Sequence, residues 1–143
     1  MRQSPQPAPG LSEALGLIGD RWSLLVVSAL LRGPRRYGEL VADVPGIAAN
    51  VLAARLRRLE SERLVTSRPY QERPVRLEYQ LSAEGRQLAD VLAVLESWGA
   101  RRRGLPAASF HDACGTALEW RPYCPTCTTT VEPADTGGDM EWV

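Results

Sequence analysis

Hydrophobic residues recur with a helical period in four successive segments of the first half of the chain. The second segment is apolar on nearly every side, which predicts a buried central helix ending at Gly33-Pro34. In the fourth, Leu52, Leu56 and Leu59 mark one helix face. The predicted helices cover residues 11–18, 22–31, 37–44 and about 48–62. Because the third and fourth are short and joined by a tight Pro45-Gly46 turn, they predict a helix-turn-helix.

After Leu64 the period changes from helical to alternating. Residues 75–81 alternate apolar and polar side chains, which predicts a half-buried strand; residues 64–70 are its expected partner, with the hairpin tip at 71–74. A hairpin directly after the second helix of a helix-turn-helix is a wing, here about residues 64–81. The predicted fold is mainly α with a small β hairpin, a winged helix-turn-helix.

A last helix is predicted from Ser82, a favourable N-cap residue, to Arg103. Its apolar stripe is formed by Leu88, Val91, Leu92, Leu95 and Trp98. Since an amphipathic helix at a domain edge must bury that stripe, we interpret it as the seam of a homodimer. The alternative is that the stripe packs against its own domain.

The length and composition of the chain limit its possible domain organisation. The 143 residues, 44% of them apolar, suit one packed domain with a small appendage. We predict a flexible leader at 1–10, the winged domain at 11–103 including the dimer helix 82–103, and an appendage with an acidic tail at 104–143. The leader has no apolar segment of a secretory signal, and no apolar run approaches the length of a membrane span. We therefore expect a cytoplasmic, nucleoid-associated protein.

Three linked motifs resemble the HxlR-type winged helix-turn-helix regulators of bacteria. They are LGLIGDRWSLLVVSALLRGPRRYGELVADVPGI (15–47), VLAARLRRLESERLV (51–65) and RPVRLEYQLSAEGRQL (73–88). The resemblance implies a dimeric DNA-binding transcription factor that responds to a small molecule or a reactive electrophile. We expect no enzyme, because no nucleophile–base pair or Gly-rich phosphate loop is visible. Many relatives that detect oxidants resemble one another in a cysteine just ahead of the first helix; this chain has none there, which excludes thiol sensing by that route.

The charge pattern agrees with duplex binding. Formal net charge is zero, but residues 1–103 hold 16 Arg against 11 acids, whereas 104–143 hold one Arg against six acids. Guanidinium groups near the helix-turn-helix and wing can neutralise phosphates. The candidates are Arg35, Arg36, Arg55, Arg57, Arg58 and Arg73. Each could instead be solvated or paired within the fold, Arg55 above all. A dimer would read an inverted repeat with half-sites roughly 34 Å apart.

The start of the predicted recognition helix is poor in groups that can read bases. Ala48, Ala49, Ala53 and Ala54 stand where the family usually has polar residues, and alanine can contact only a thymine methyl. Asn50 is the best base-reading candidate, since its amide can pair with adenine, although an Asn in a first helical turn is as often a cap. Readout would then depend on DNA shape and on Arg73 at the wing. The alternative is a protein-interaction module on a winged-helix scaffold.

All three cysteines and the only histidine lie within seventeen residues of the appendage. His111 and Cys114 form one short-spaced pair, and Cys124 and Cys127 another, a spacing typical of tetrahedral zinc sites. We predict a small zinc-ribbon-like tail in which these four residues bind structural Zn²⁺. The alternatives are a redox-responsive Cys124/Cys127 dithiol and chance clustering.

A small-molecule effector is expected between the last helix and the helix-turn-helix, where motion would change the spacing of two recognition helices. Trp22 and Trp98 could line that pocket. Ordinary packing of both rings in the core is the alternative.

Overall fold

The computed structural model describes residues 8–132. Two compact units divide the chain, with the boundary between Leu92 and Ala93. The first helix begins at Pro9, inside the stretch 1–10 predicted as a leader. Proline suits the first helical turn, where its missing N–H needs no partner. The rest of that leader and the acidic tail beyond Glu132 lie outside the described residues.

Four helices of the first unit lie close to their predicted positions. Asp20 starts the second of them, its Oδ1 accepting the backbone N–H groups of Trp22 (2.9 Å) and Ser23 (3.0 Å). No single helix within residues 8–132 is long and apolar enough to cross a membrane; the first two together have that length and composition but are bent by 81°. The four helices of the first unit are α1 (Pro9–Ile18), α2 (Ser23–Leu31), α3 (Tyr37–Asp43) and α4 (Ala49–Ser61).

An antiparallel sheet of three strands, in the order β1-β3-β2, completes the winged domain. The long hairpin of β2 (Val65–Glu72) and β3 (Val75–Leu81) confirms the predicted wing, with Arg73 and Pro74 at its tip. Strand β1 (Arg35–Arg36) was not predicted. Two residues are too few to show a period, and only pairing with Tyr79 and Glu78 of β3 makes them a strand.

The core lies between the helix-turn-helix and the sheet. Leu52, Leu56 and Leu59 of α4 are almost completely buried, together with Val26 and Val27 of α2. Because these leucines occupy one side of α4, the opposite side of that helix is turned outward. Burial of the predicted apolar face therefore sets which residues of α4 can meet another molecule.

The predicted long helix 82–103 is divided into α5 (Ala83–Arg86) and α6 (Leu88–Arg103). Ser82 caps α5 as predicted, its side chain accepting the N–H of Gly85 at 3.0 Å. The division falls at Gln87, whose N–H bonds to Glu84 O as in a tighter helical turn.

The second unit contains the end of α6 and two small turns of the appendage. The first turn is closed by a β-bridge between Phe110 and Ala117, and the second joins β4 (Tyr123–Cys124) to β5 (Thr129–Thr130). None of residues 104–132 is buried. This stretch consequently has no hydrophobic core of its own.

Candidate nucleic-acid interface

The outward face of α4 carries Asn50 and Arg57, seven residues apart and opposite the buried leucines. Both side chains are exposed, and within residues 8–132 Arg57 forms no ion pair. The helix cap is Ala48, without a side-chain hydrogen bond, so Asn50 is not the cap. These two predicted residues remain available to a ligand, separated on that face by Ala54.

Arg55 lies elsewhere on α4, where its Nη1 is 3.5 Å from Asp20 Oδ2. Burial alone would raise the pKa of Asp20, but hydrogen bonds from the Ser23 hydroxyl and from the N–H groups of Trp22 and Ser23, with the charge of Arg55, outweigh it and lower that pKa. The Asp20 carboxylate therefore caps α2 and also binds α4 through Arg55. Arg55 is engaged within the fold, which is the alternative to the DNA contact predicted for it.

Arg58 and Arg35 are also engaged by groups of the chain. Arg58 Nε lies 3.2 Å from Glu62 Oε1, and its Nη2 donates to Gly16 O at 3.4 Å. Arg35 Nε donates to Asp43 Oδ2 at 2.9 Å with both side chains about three-quarters shielded. Arg58 is half exposed and can still face a ligand, whereas Arg35 ties β1 to the end of α3.

Arg36 links the helix-turn-helix to the wing. Its guanidinium carbon lies 4.2 Å from the centre of the Tyr70 ring of β2, a cation–π contact between two exposed side chains. Its backbone N–H donates to Glu39 Oε2 at 2.6 Å, which fixes the start of α3. The Arg36 guanidinium remains exposed to solvent beside the ring. Sequence reasoning missed Tyr70, whose place in the strand alternation was its only signal.

Arg73 is exposed at the tip of the wing and forms no ion pair within residues 8–132. Lower in the hairpin, Arg68 donates from Nε (2.9 Å) and Nη2 (2.7 Å) to the Glu78 carboxylate across the strands. Both groups donate to the same oxygen, Oε2, and this charge-assisted pair links β2 to β3. The hairpin therefore carries an exposed cation, Arg73, beyond the cross-strand pair.

Two further contacts position α4, and neither residue was predicted as functional. The Tyr37 hydroxyl donates to Ala49 O at the start of the helix. Near the other end, the Ser67 hydroxyl donates to Glu60 and ties α4 to β2. Tyr37 follows the arginine pair directly in sequence, but only the fold brings it to α4.

The four predicted metal ligands lie in two separate pairs. His111 Nδ1 is 3.3 Å from Cys114 Sγ, and Cys124 is hydrogen-bonded to Cys127. Within residues 8–132, no three His, Cys, Asp or Glu side chains are close enough to hold one ion. The pKa of Cys114 is lowered by hydrogen bonds with the Thr116 side chain and backbone; that of Cys124 is lowered chiefly by the N–H of Cys127.

Trp22 and Trp98 lie in different units. Trp22 is half-buried against the core, with Arg21 over its ring at 4.7 Å, whereas Trp98 is 57% exposed on α6. In the second unit a cavity of about 550 Å³ is lined by Val94, Arg101 and Trp120 among others, without Trp98. The shared effector pocket of the two tryptophans stays a prediction.

Comparisons with known proteins identify relatives of this chain. The family model described as HxlR-like helix-turn-helix matches residues 17–105. An uncharacterized HTH-type transcriptional regulator of Mycobacterium bovis is 36% identical over 121 residues, 82% of this chain and 76% of that protein.

Solved structures of transcription regulators are also similar to this chain. The reduced form of the transcriptional regulator YodB from Bacillus subtilis has a TM-score of 0.58 and 31% identity, covering 67% of this chain and 94% of that one. The redox regulator HypR in its reduced form has a TM-score of 0.62 and 28% identity, with 67% and 94% covered. The helix-turn-helix and the wing lie within residues 17–105, which the family model matches. The chain belongs to the HxlR-like helix-turn-helix family and is a DNA-binding transcription regulator, not an enzyme.

Proposed function

We propose that the protein binds a specific DNA inverted repeat as a homodimer. The observation that carries the proposal is the outward face of α4, where Asn50 and Arg57 are exposed opposite a fully buried leucine face. An α-helix fits the major groove, and these are residue types that pair with adenine and guanine edges. Since Ala54 lies between them on that face, each half-site would be read by few base contacts.

The wing supplies the second contact. Arg73 is exposed at the tip of a hairpin braced by the Arg68–Glu78 pair, a shape suited to a narrow, electronegative minor groove. Arg36, stacked on Tyr70 between the two elements, is placed to meet phosphate. The proposed interface therefore consists of Asn50, Arg57, Arg73 and Arg36, with Arg58 at its side. Arg35 and Arg55 act as positioning residues.

The homodimer is supported by an uncovered apolar face on α6. Val91, Val94, Leu95 and Trp98 are between 45% and 57% exposed. Leu88 and Leu92, by contrast, pack against the core of the first unit, so the predicted stripe is divided between the core and the surface. A second copy packing on the uncovered part would relate two α4 helices by a twofold axis and make the operator an inverted repeat.

The test is a search of genomic fragments, including the region upstream of the protein's own gene, followed by footprinting of those that bind. We expect a palindromic footprint whose affinity falls steeply with salt. Asn50→Ala and Arg57→Ala should each cost about 1–3 kcal/mol on the specific site, whereas Arg86→Ala, an exposed arginine on α5, should change little. Stoichiometric capture of a protein partner without DNA affinity above background would instead favour the interaction module.

A further inference from the structure

The appendage contains two turns of the same design. We name residues 110–117 the first knuckle and residues 123–130 the second knuckle. The first is closed by the Phe110–Ala117 bridge and by hydrogen bonds from His111 N to Thr116 O (2.9 Å) and from Gly115 N to His111 O (2.7 Å). The second is closed by antiparallel pairing of Cys124 with Thr129 and of Tyr123 with Thr130.

Both knuckles place two ligand-type residues three positions apart and follow them with a left-handed residue. Gly115, after Cys114, has φ 67°, and Thr128, after Cys127, has φ 54°. A β-branched residue adopts that conformation rarely and at a cost. Its presence at the equivalent position indicates that the turn shape itself is required, because a threonine left to its own preference would be extended.

Each knuckle already brings its two side chains together. His111 Nδ1 lies 3.3 Å from Cys114 Sγ, and in the second knuckle Cys124 is hydrogen-bonded to Cys127. The first knuckle offers a nitrogen and a sulfur, the second two sulfurs.

Burial does not stabilise this segment. Not one of residues 104–132 is buried, although Phe110, Leu118 and Trp120 are apolar and 40–51% exposed. A stretch of this size without a core is ordinarily stabilised by a disulfide or a metal. The three cysteines are free thiols.

We infer that the two knuckles close on one Zn²⁺ held by His111, Cys114, Cys124 and Cys127. Three sulfurs and one imidazole complete a tetrahedral set with no open position, which makes the site structural. Soft sulfur ligands disfavour Mg²⁺ and Ca²⁺. No three of these side chains share a site in the part of the chain described, so binding one ion requires the two knuckles to approach each other, with metal binding as the source of free energy. Nine residues, 115–123, join the two pairs and leave room for that movement. The inference does not depend on DNA binding.

The experiment uses the full chain, purified reduced and metal-free and then titrated with Co²⁺ and Zn²⁺. We expect one ion per chain, sulfur-to-cobalt charge-transfer bands with the intense visible bands of tetrahedral cobalt, and displacement by Zn²⁺. Zn²⁺ should also protect residues 104–132 from proteolysis. Cys114→Ser and Cys124→Ser should each weaken Zn²⁺ binding by more than about 100-fold, beyond what loss of an outer-shell partner costs. Asp112→Asn, inside the first knuckle but not a ligand, is the matched control.

Three outcomes would overturn the inference. In the first, Zn²⁺ affinity is unchanged by His111→Ala and Cys114→Ser, which would limit the site to the second knuckle. In the second, native mass spectrometry finds one ion for every two chains, a site shared between copies. In the third, no metal binds and mild oxidation lowers the mass by two hydrogens per chain, which would make Cys124 and Cys127 a dithiol switch.

Discussion

Arg55 of the recognition helix and Asp20 at the start of α2 form an ion pair with Nη1 3.5 Å from Oδ2. The guanidinium is two-thirds shielded, and its Nε is buried without a hydrogen-bond partner within residues 8–132. A charge so placed depends on the one carboxylate beside it. The pair therefore links α4 to the start of α2. Through this link Arg55 positions the residues of α4 that face outward.

Loss of the Asp20 charge should destabilise the fold in a pH-dependent way. The pKa of Asp20 is lowered below its ordinary value of 3.8, so its contribution to stability is present above that pH and disappears as pH falls through the lower folded-state value. Asp20→Asn should cost about 1 kcal/mol at pH 7 and progressively less below about pH 4. Urea unfolding at pH 7 and pH 3 measures both. Glu96→Gln, an exposed acid on α6, should have no effect, and an equal Asp20→Asn penalty at both pH values would show that its charge is not stabilising.

Gly85 should tolerate no side chain. A Cβ there would lie 2.1 Å from Leu64 O and 3.1 Å from Leu81 Cδ2, between the end of the wing and α5. Gly85→Ala should lower the unfolding free energy by about 1–3 kcal/mol or more. In α1, Gly16 has nothing within 4 Å of such a Cβ, so Gly16→Ala should stabilise by about 0.5–1 kcal/mol. Denaturant titration of both variants checks the contrast; equal shifts would contradict it.

Removing the cation at the wing tip should weaken DNA binding without changing which bases α4 reads. If Arg73 neutralises one phosphate, Arg73→Ala should reduce the slope of log affinity against log salt by about 0.9. Preference for A·T-rich flanks should decrease with it. Titrations at several salt concentrations measure the slope, with Arg86→Ala as control. An unchanged slope and flank preference would place the wing away from the duplex.

A charge on the uncovered face of α6 should separate the proposed dimer. Leu95 is 45% exposed, so Leu95→Glu costs little in the monomer but would bury a carboxylate between copies. Sedimentation velocity should show a monomer with unchanged circular dichroism and reduced affinity for the inverted repeat. Glu96→Gln, its neighbour, should remain dimeric. A Leu95→Glu protein of unaltered mass in solution would move the interface elsewhere.

The helices and the wing could be predicted because their signals are local. Leu52, Leu56 and Leu59 repeat at the period of a helix, and residues 75–81 alternate as a strand with one face buried. Even the outward position of Asn50 and Arg57 follows from the same period. Such patterns report only how each segment divides its own faces between core and surface.

Contacts between distant segments required the fold. A two-residue strand such as Arg35–Arg36 exists only because β3 lies beside it, and the partners of Arg55 and Arg36 come from other elements. The sequence could identify six arginines as cations near a duplex. It could not identify their partners, because a guanidinium lies several ångströms from its own backbone and pairs with whichever carboxylate or aromatic ring the fold places beside it. The sequence by itself determined the family, the elements and the outward face of α4. Tertiary structure alone decided which cations are engaged within the chain, because that depends on which groups the fold brings together.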